Sequence, residues 1–300
     1  MSFTTEHLDP AHLDHVVQFY ERAEDLVGGA AHHLARALDA GDAVVIVATP
    51  EHVDGFVDAL AAAGADLDAA TDAGRFVVRD AAATLEGFVD GGRIDPDRFD
   101  ATVGALVHDA AAGGRPVRVF GEMVQLLWSS GERNAAVELE ELWNELARRE
   151  AFSLYCAYDV APDGADHRVS VDQICHLHDT ISAARTFDGL AAPRAARAFV
   201  RELLAGRVDP DVSDDATLAV SELTTNAVLH AASSFSVTVT LRPGSVRVAV
   251  RDESPALPAW RAAHGFETSG RGLHIVAGVA QRWGIDIVAS GKVVWAELGR

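Results

Sequence analysis

Glu222 and Asn226 are the first residues in the chain whose types and spacing suggest chemistry. They lie in Ser221-Glu222-Leu223-Thr224-Thr225-Asn226-Ala227-Val228-Leu229-His230, inside a run from Asp214 to Ala232 without Gly or Pro. That run predicts one helix, and the 3.6-residue period stacks the two polar side chains on one stripe. Val220, Leu223 and Ala227 form a neighbouring stripe suited to a core. A carboxylate beside an amide oxygen above an apolar floor offers a proton acceptor and a hard metal ligand. Such a pair is common on solvated helix faces, so its meaning depends on the segments that the fold sets against it.

Further on, Val246-Arg247-Val248-Ala249-Val250-Arg251 reads as a strand ending in Asp252, and Glu253-Ser254-Pro255 breaks the chain. Ser269-Gly270-Arg271-Gly272-Leu273-His274-Ile275-Val276 then places glycines at the opening of an apolar helix. In this order the pieces resemble the nucleotide site of the GHKL (Bergerat-fold) ATPase superfamily, over roughly Thr186 to Arg300. The ending Gly291 to Leu298 resembles the closing strand of its anti-sigma-factor serine kinase branch. The short lid with Pro255, Pro258 and Trp260 fits the same branch. Ser254 stands where many members have Gly, and Val293 where close relatives often have a hydroxyl residue.

The resemblance implies ATP and Mg²⁺ as cofactors. Glu222 takes the place of the general base, Asn226 that of the Mg²⁺ ligand, and Asp252 that of the acid that reads adenine. Gly270, Arg271, Gly272 and Leu273 take that of the phosphate-binding segment, where the positive end of a helix and an Arg offset the triphosphate charge. The expected output is a protein serine/threonine kinase acting on a STAS-type anti-sigma-factor antagonist, or binding a sigma factor. Two alternatives stand beside it: a nucleotide-gated partner-switch protein without useful catalysis, and a histidine-kinase-like sensor.

The elements that position this site are a helix from Ala195 led by Pro193, the Asp214–Ala232 helix, and a hairpin of Phe235–Leu241 and Val246–Arg251. A helix comes next, from Gly272 to about Arg282, then strands at Ile285–Val288 and Lys292–Leu298. They predict a two-layer α/β sandwich.

The first half reads differently. Ala43–Ala48 is a continuous apolar run expected of a strand buried on both faces. Phe76–Val78, Val117–Phe120 and Phe152–Tyr158 are further strands, separated by helical stretches such as Pro50–Ala63, Asp97–Ala112 and Ala135–Arg149. Alternation of this kind predicts a mainly parallel sheet in a three-layer αβα arrangement. Thr49-Pro50-Glu51-His52 succeeds the first of these strands, without the glycines and lysine of a phosphate-binding loop. His15–Tyr20, Gly41–Ile46, Arg118–Met123, Leu139–Asn144 and Phe152–Tyr158 together resemble the MEDS sensory domain, a RecA/KaiC-like sheet without a P-loop. That resemblance implies a small-molecule ligand of unknown identity, with His15, Tyr20 and Glu122 as polar candidates for its pocket.

The expected division is 1–160 sensory, 161–185 a linker helix and 186–300 the ATPase domain. The periodic stretch Val171–Ala184 is expected to be helical. It holds Cys175-His176-Leu177-His178-Asp179. A metal site with Cys156 is disfavoured, because residues two apart diverge on a helix and no fourth ligand is apparent. A phospho-accepting His178 is disfavoured because no long helical hairpin precedes the ATPase segment.

Charge and composition set the bounds. The formal charge of −20, from 45 acidic and 25 basic residues, repels phosphate backbones and anionic lipids, which excludes nucleic acid as a direct partner. Lysine occurs once, at Lys292. The two cysteines lack C-x-x-C spacing and suit a reducing cytosol. The polar start Met1–His7 is unlike a signal peptide, and no apolar run approaches the ~20 residues of a membrane helix. A cytoplasmic protein is expected, and the resemblance to the GHKL ATPases implies a homodimer paired through the ATPase sheet.

Overall fold

The computed structural model describes residues 15–159, 174–189, 191–231, 234–254, 256, 272–288 and 291–299. The chain forms two compact units, one ending at Ile181 and the other beginning at Ser182.

The first unit opens with β1 (His15–Tyr20), buried throughout, and α1 (Ala23–Ala40). Gly41, at φ 87°, terminates α1 by turning its N–H back to the carbonyls of Ala37 and Leu38. β2 (Ala43–Ala48) is buried along its whole length, as its apolar run requires. Pro50 sits in the first turn of α2 (Pro50–Ala62), where its missing N–H costs nothing. Then come α3 (Leu67–Asp72), β3 (Phe76–Asp80), α4 (Ala81–Glu86) and a small hairpin, β4 (Val89–Asp90) with β5 (Arg93–Ile94). α5 (Pro96–Phe99) runs through a π-helical turn (Asp100–Gly104) into α6 (Ala105–Ala110). β6 (Val117–Gly121), α7 (Met123–Ser129), α8 (Arg133–Ala147) and β7 (Phe152–Asp159) complete this part.

The sheet order is β1-β7-β6-β2-β3, parallel at every junction. Alternate strand residues face opposite ways. Val44, Ile46, Phe120 and Tyr155 join Leu34 of α1 and Phe56 and Leu60 of α2 in one core. On the other face Trp143 of α8 meets the rings of Phe99 and Phe152 at 5.5 and 5.9 Å. Helices therefore cover both faces, giving the three-layer αβα arrangement. β1, which the sequence does not announce as a strand, belongs to this sheet.

One expectation is corrected at the junction. Ile174–His176 forms a single helical turn, but Thr180–Phe187 is a strand, β8, where periodicity reads as helix as far as Ala184. Its Thr, Ile and Ser residues favour an extended chain once a neighbouring strand is present. β9 provides that neighbour, and the Ser182 and Thr240 hydroxyls come within 3.5 Å.

The second unit continues with α9 (Ala192–Leu204), α10 (Pro210–Ala231), β9 (Phe235–Arg242) and β10 (Ser245–Asp252). α11 (Gly272–Val279), β11 (Arg282–Val288) and β12 (Gly291–Gly299) close it. The strand order is β11-β12-β10-β9-β8, with β9, β10, β12 and β11 antiparallel to their neighbours in that series. α10 packs on β9, β10 and β12 and is flanked by α9 and α11: a two-layer sandwich. α10 starts earlier than Asp214, because the Asp209 carboxylate accepts the Asp211 N–H at 2.9 Å and Pro210 fits the first turn. Its buried stripe of Ala216, Val220, Leu223 and Ala227 holds it to the sheet, the larger side chains contributing roughly 1.5–3 kcal/mol each. α11 stops short of Arg282, whose guanidinium is bonded to Glu297 across the β11–β12 ladder at 2.7 Å. Among the described residues no helix is long and apolar enough to cross a membrane.

Candidate functional site

The stripe beside the buried face of α10 carries Glu222 and Asn226, both half-buried. Ser221, beside Glu222, accepts a hydrogen bond from Arg197 of α9 at 3.0 Å, and Thr224 Oγ1 donates to the Val220 carbonyl at 2.7 Å. These bonds fix the turn that presents the carboxylate. α11 begins at Gly272, directly against the pair. A β-carbon at Gly272 would stand 3.0 Å from Glu222 Oε2 and 3.2 Å from Asn226 Nδ2. The structure thus gathers Glu222, Asn226 and the opening of a helix around a space that a single methyl group would fill. Leu273 is buried and anchors the start of α11. Gly270 and Arg271 lie outside the described residues.

Asp252 ends β10, the strand on which α10 packs, and is buried. Its Oδ1 accepts from Lys292 Nζ at 2.7 Å and from the Ser254 N–H at 2.9 Å. Lys292 Nζ also donates to the Ser254 carbonyl at 3.1 Å. The one lysine of the chain therefore neutralises the carboxylate and pins the turn after it, and Ser254 serves this turn through its backbone. Cross-strand register puts Lys292 opposite Asp252. Gly291, at φ 116°, makes the approach possible, since a β-carbon there would lie 2.0 Å from the Asp252 carbonyl oxygen. Sequence reasoning misses Lys292 as a site residue. Its uniqueness, in a strand that can pair with the one ending at Asp252, is the signal that could find it.

In the first unit the three candidates separate. Tyr20 and Glu122 are near neighbours, with His52 between them. Glu122 Oε1 meets His52 Nδ1 at 2.6 Å, and Oε2 accepts from the Thr49 N–H and hydroxyl at 2.8 and 3.1 Å. The Tyr20 and His52 rings meet edge-on at 6.1 Å. Burial, with Glu122 and Asp159 nearby, raises the Tyr20 phenol above its ordinary range. The hydrogen bond to the Glu122 carboxylate raises His52. These groups sit at the carboxyl ends of β1, β2 and β6, where parallel sheets take ligands. Thr49 and His52, just past β2, are not singled out by the sequence.

His15 stands at the opposite end of β1, in a different cluster. Its Nε2 is 3.2 Å from Glu140 Oε2 and 3.4 Å from Cys156 Sγ. His178 Nε2 approaches the other Glu140 oxygen at 3.5 Å, and Tyr158 donates to it at 2.7 Å. Glu140 is fully enclosed. Desolvation pushes its carboxyl up, but the adjoining His178 and His15 outweigh this and hold it well below the usual carboxylate range. His178 is buried too, which does not present it to a phosphoryl donor. His176 faces solvent, so the two histidines diverge.

The chain matches the family model of the MEDS domain (methanogen/methylotroph, DcmR sensory domain) over residues 14–179. It matches that of the histidine kinase-like ATPase domain over residues 189–298. No curated protein matches it in sequence. Among solved structures, the RsbU and RsbW domains of a Mycobacterium tuberculosis protein are 24% identical, with a TM-score of 0.32, over 39% of this chain. The chain spans 31% of that protein's length. An uncharacterized Pyrococcus horikoshii protein, in complex with an unknown peptide, is 12% identical with a TM-score of 0.44, over 60% of this chain and 80% of that one. The first match takes in more than half of the 300 residues, and the chain belongs to the MEDS sensory family, its second unit matching a histidine kinase-like ATPase domain, in the make-up of a signalling regulator.

Proposed function

We propose that this regulator binds ATP·Mg²⁺ in its second unit and uses it as an anti-sigma-type protein serine/threonine kinase. The acceptor is a Ser or Thr hydroxyl on a STAS-type antagonist, and the sensory unit takes a small molecule that biases the output. The observation that carries this reading is the convergence of Glu222 and Asn226 on the glycine that opens α11. A β-carbon at Gly272 would crowd both side chains, so the glycine is what lets the opening of α11 come this close to them.

Bound ATP supplies the phosphoryl group and Mg²⁺ offsets its charge. Asn226 offers the ion a hard amide oxygen while leaving positions for water. The backbone N–H groups of the first turn of α11, beginning at Gly272, present positive dipole to the phosphates. Asp252, held by Lys292 through Oδ1, would accept from the adenine amino group. Glu222 is half-buried and takes the proton of the attacking hydroxyl. The Lys292–Asp252 pair keeps the purine end of the site rigid.

The test is phosphate transfer to STAS proteins encoded nearby. Glu222→Gln keeps the shape but loses the base. Transfer is expected to fall by roughly 10²–10⁴-fold, with ATP affinity nearly unchanged. If wild-type protein binds ATP yet labels no candidate, and Glu222→Gln leaves signalling intact, the site is a nucleotide-gated partner switch.

A further inference from the structure

Four side chains from four separate segments converge in the sensory unit: His15 of β1, Glu140 of α8, Cys156 of β7 and His178, just past the Ile174–His176 turn. All four are buried, and their ligand atoms lie within 4.8 Å of one another. Local hydrogen bonds fix the two rings. Asn144 directs Nδ2 to the Leu177 carbonyl at 3.0 Å, so its Oδ1 faces His15 Nδ1 at 2.9 Å, and that nitrogen must carry the hydrogen. His178 Nδ1 meets the Ile174 carbonyl at 2.7 Å, a pure acceptor, so it too is an N–H. With Nδ1 engaged in this way, Nε2 of each ring is the nitrogen turned towards Glu140, and in the neutral form it offers a lone pair. His178 Nε2 is enclosed and lacks a hydrogen-bond donor, an arrangement that costs free energy unless a proton or a cation fills it.

The geometry points to a buried four-coordinate site for a zinc-class divalent transition-metal ion, held by His15 Nε2, Glu140, Cys156 Sγ and His178 Nε2. Tetrahedral zinc with such ligands sets them ~3.3–3.7 Å apart. Glu140 Oε2 lies 3.2 Å from His15 Nε2 and 3.4 Å from Cys156 Sγ, which are 3.4 Å apart, and Glu140 Oε1 lies 3.5 Å from His178 Nε2. Closing the widest gap takes a contraction of about an ångström at most. The rings are held through Nδ1 by a side-chain amide and a backbone carbonyl, the outer bonds that orient metal-binding imidazoles. One thiolate and one carboxylate cancel the 2+ charge, which suits a site without water. Cys156 Sγ donates to Glu140 Oε2 at 3.4 Å, so the group is a thiol before the ion arrives. On binding, the S–H bond breaks, its proton leaves to solvent, the S–metal bond forms and the ion sheds water, with no change of oxidation state. All four positions are filled by protein, the pattern of a structural or metal-sensing site and not of a catalytic one. The ion would fasten His178, just ahead of β8, to β1, β7 and α8.

The test is metal analysis of the reduced full-length chain, with cobalt substitution. Stoichiometric zinc is expected. The cobalt form should show a thiolate charge-transfer band in the near ultraviolet and the strong visible bands of a four-coordinate site. Cys156→Ser should lose the charge-transfer band, and a chelator should lower the melting temperature of wild-type protein by several degrees. If Cys156→Ser does not fold, the wild-type cobalt spectrum decides. A chain that takes up neither Zn²⁺ nor Co²⁺ overturns the proposal, as does one that binds Co²⁺ without a thiolate band and melts alike with and without chelator. The cluster is then a protonated histidine paired with Glu140.

Discussion

Helices α8 and α10 each carry a Glu and an Asn four residues apart, and the two pairs live in opposite surroundings. In α8, Glu140 is fully enclosed by His15, His178, Cys156 and Tyr158, while Asn144 locks the His15 ring. In α10, Glu222 and Asn226 are half-buried and face the opening of α11 across a gap a methyl group would close. The first carboxylate has its partners in place. The second is left with capacity for a proton and an ion. Spacing on a helix brings two side chains to one stripe; what covers that stripe decides between holding a structure together and doing chemistry.

That contrast breaks if the enclosed carboxylate proves dispensable. Glu140→Gln removes the charge that two imidazoles face, and breaking a buried ionic cluster at one member costs about 3–5 kcal/mol. Denaturant unfolding at neutral pH should show it. Because the native Glu140 carboxyl is held below its unfolded value, about 4.3, its stabilisation is complete above that pH. It drains away as pH falls through and below it. The wild-type advantage over Glu140→Gln should therefore shrink on acidification, and an advantage that is constant or grows would count against the assignment.

The next largest effect belongs to the Lys292–Asp252 pair of the second unit. Lys292→Met leaves Asp252 buried without its cation and should cost roughly 3 kcal/mol of that unit's stability. Adding Asp252→Asn should restore part of the loss while leaving nucleotide affinity low. Additive losses in the double variant would mean that the two residues do not act as a pair.

Smaller again is Gly272→Ala. Its β-carbon would press on Glu222 Oε2 at 3.0 Å. Such overpacking costs about 1–3 kcal/mol, so the melting temperature should fall by a few degrees and ATP affinity roughly tenfold. Unchanged affinity would show that the gap is not where the phosphates go.

Much of this arrangement is legible in the sequence because it is local. α10 announces itself by an uninterrupted period, and Glu222 and Asn226 share a turn. β10 alternates up to Asp252, and the glycines before α11 mark a helix start. The continuous apolar run of β2 and the Pro50 after it likewise give a buried parallel strand and its helix. The features that cannot be read depend on register and enclosure. Lys292 meets Asp252 only because β12 pairs antiparallel with β10 in one of several possible registers. Cys156 comes beside His15 through the parallel β1–β7 pairing, which places Val17 opposite Cys156. Glu140 and His178 then arrive from a helix and a turn remote in sequence. His15, Tyr20 and Glu122 suggest one pocket by their types, yet the length of β1 divides them. The misread stretch at β8 has the same origin: its weak helical period yields to a strand neighbour that no local pattern reveals.

The central claim is that Glu222, Asn226 and the opening of α11 form a working nucleotide pocket. Calorimetric titration of the purified chain with ATP, with and without Mg²⁺, tests it most directly when repeated on Asn226→Ala. Saturable binding that tightens with Mg²⁺ in wild-type protein, and loses that dependence in Asn226→Ala, is the predicted result. Equal Mg²⁺ dependence in both proteins, or no binding by a folded wild-type chain, would contradict it.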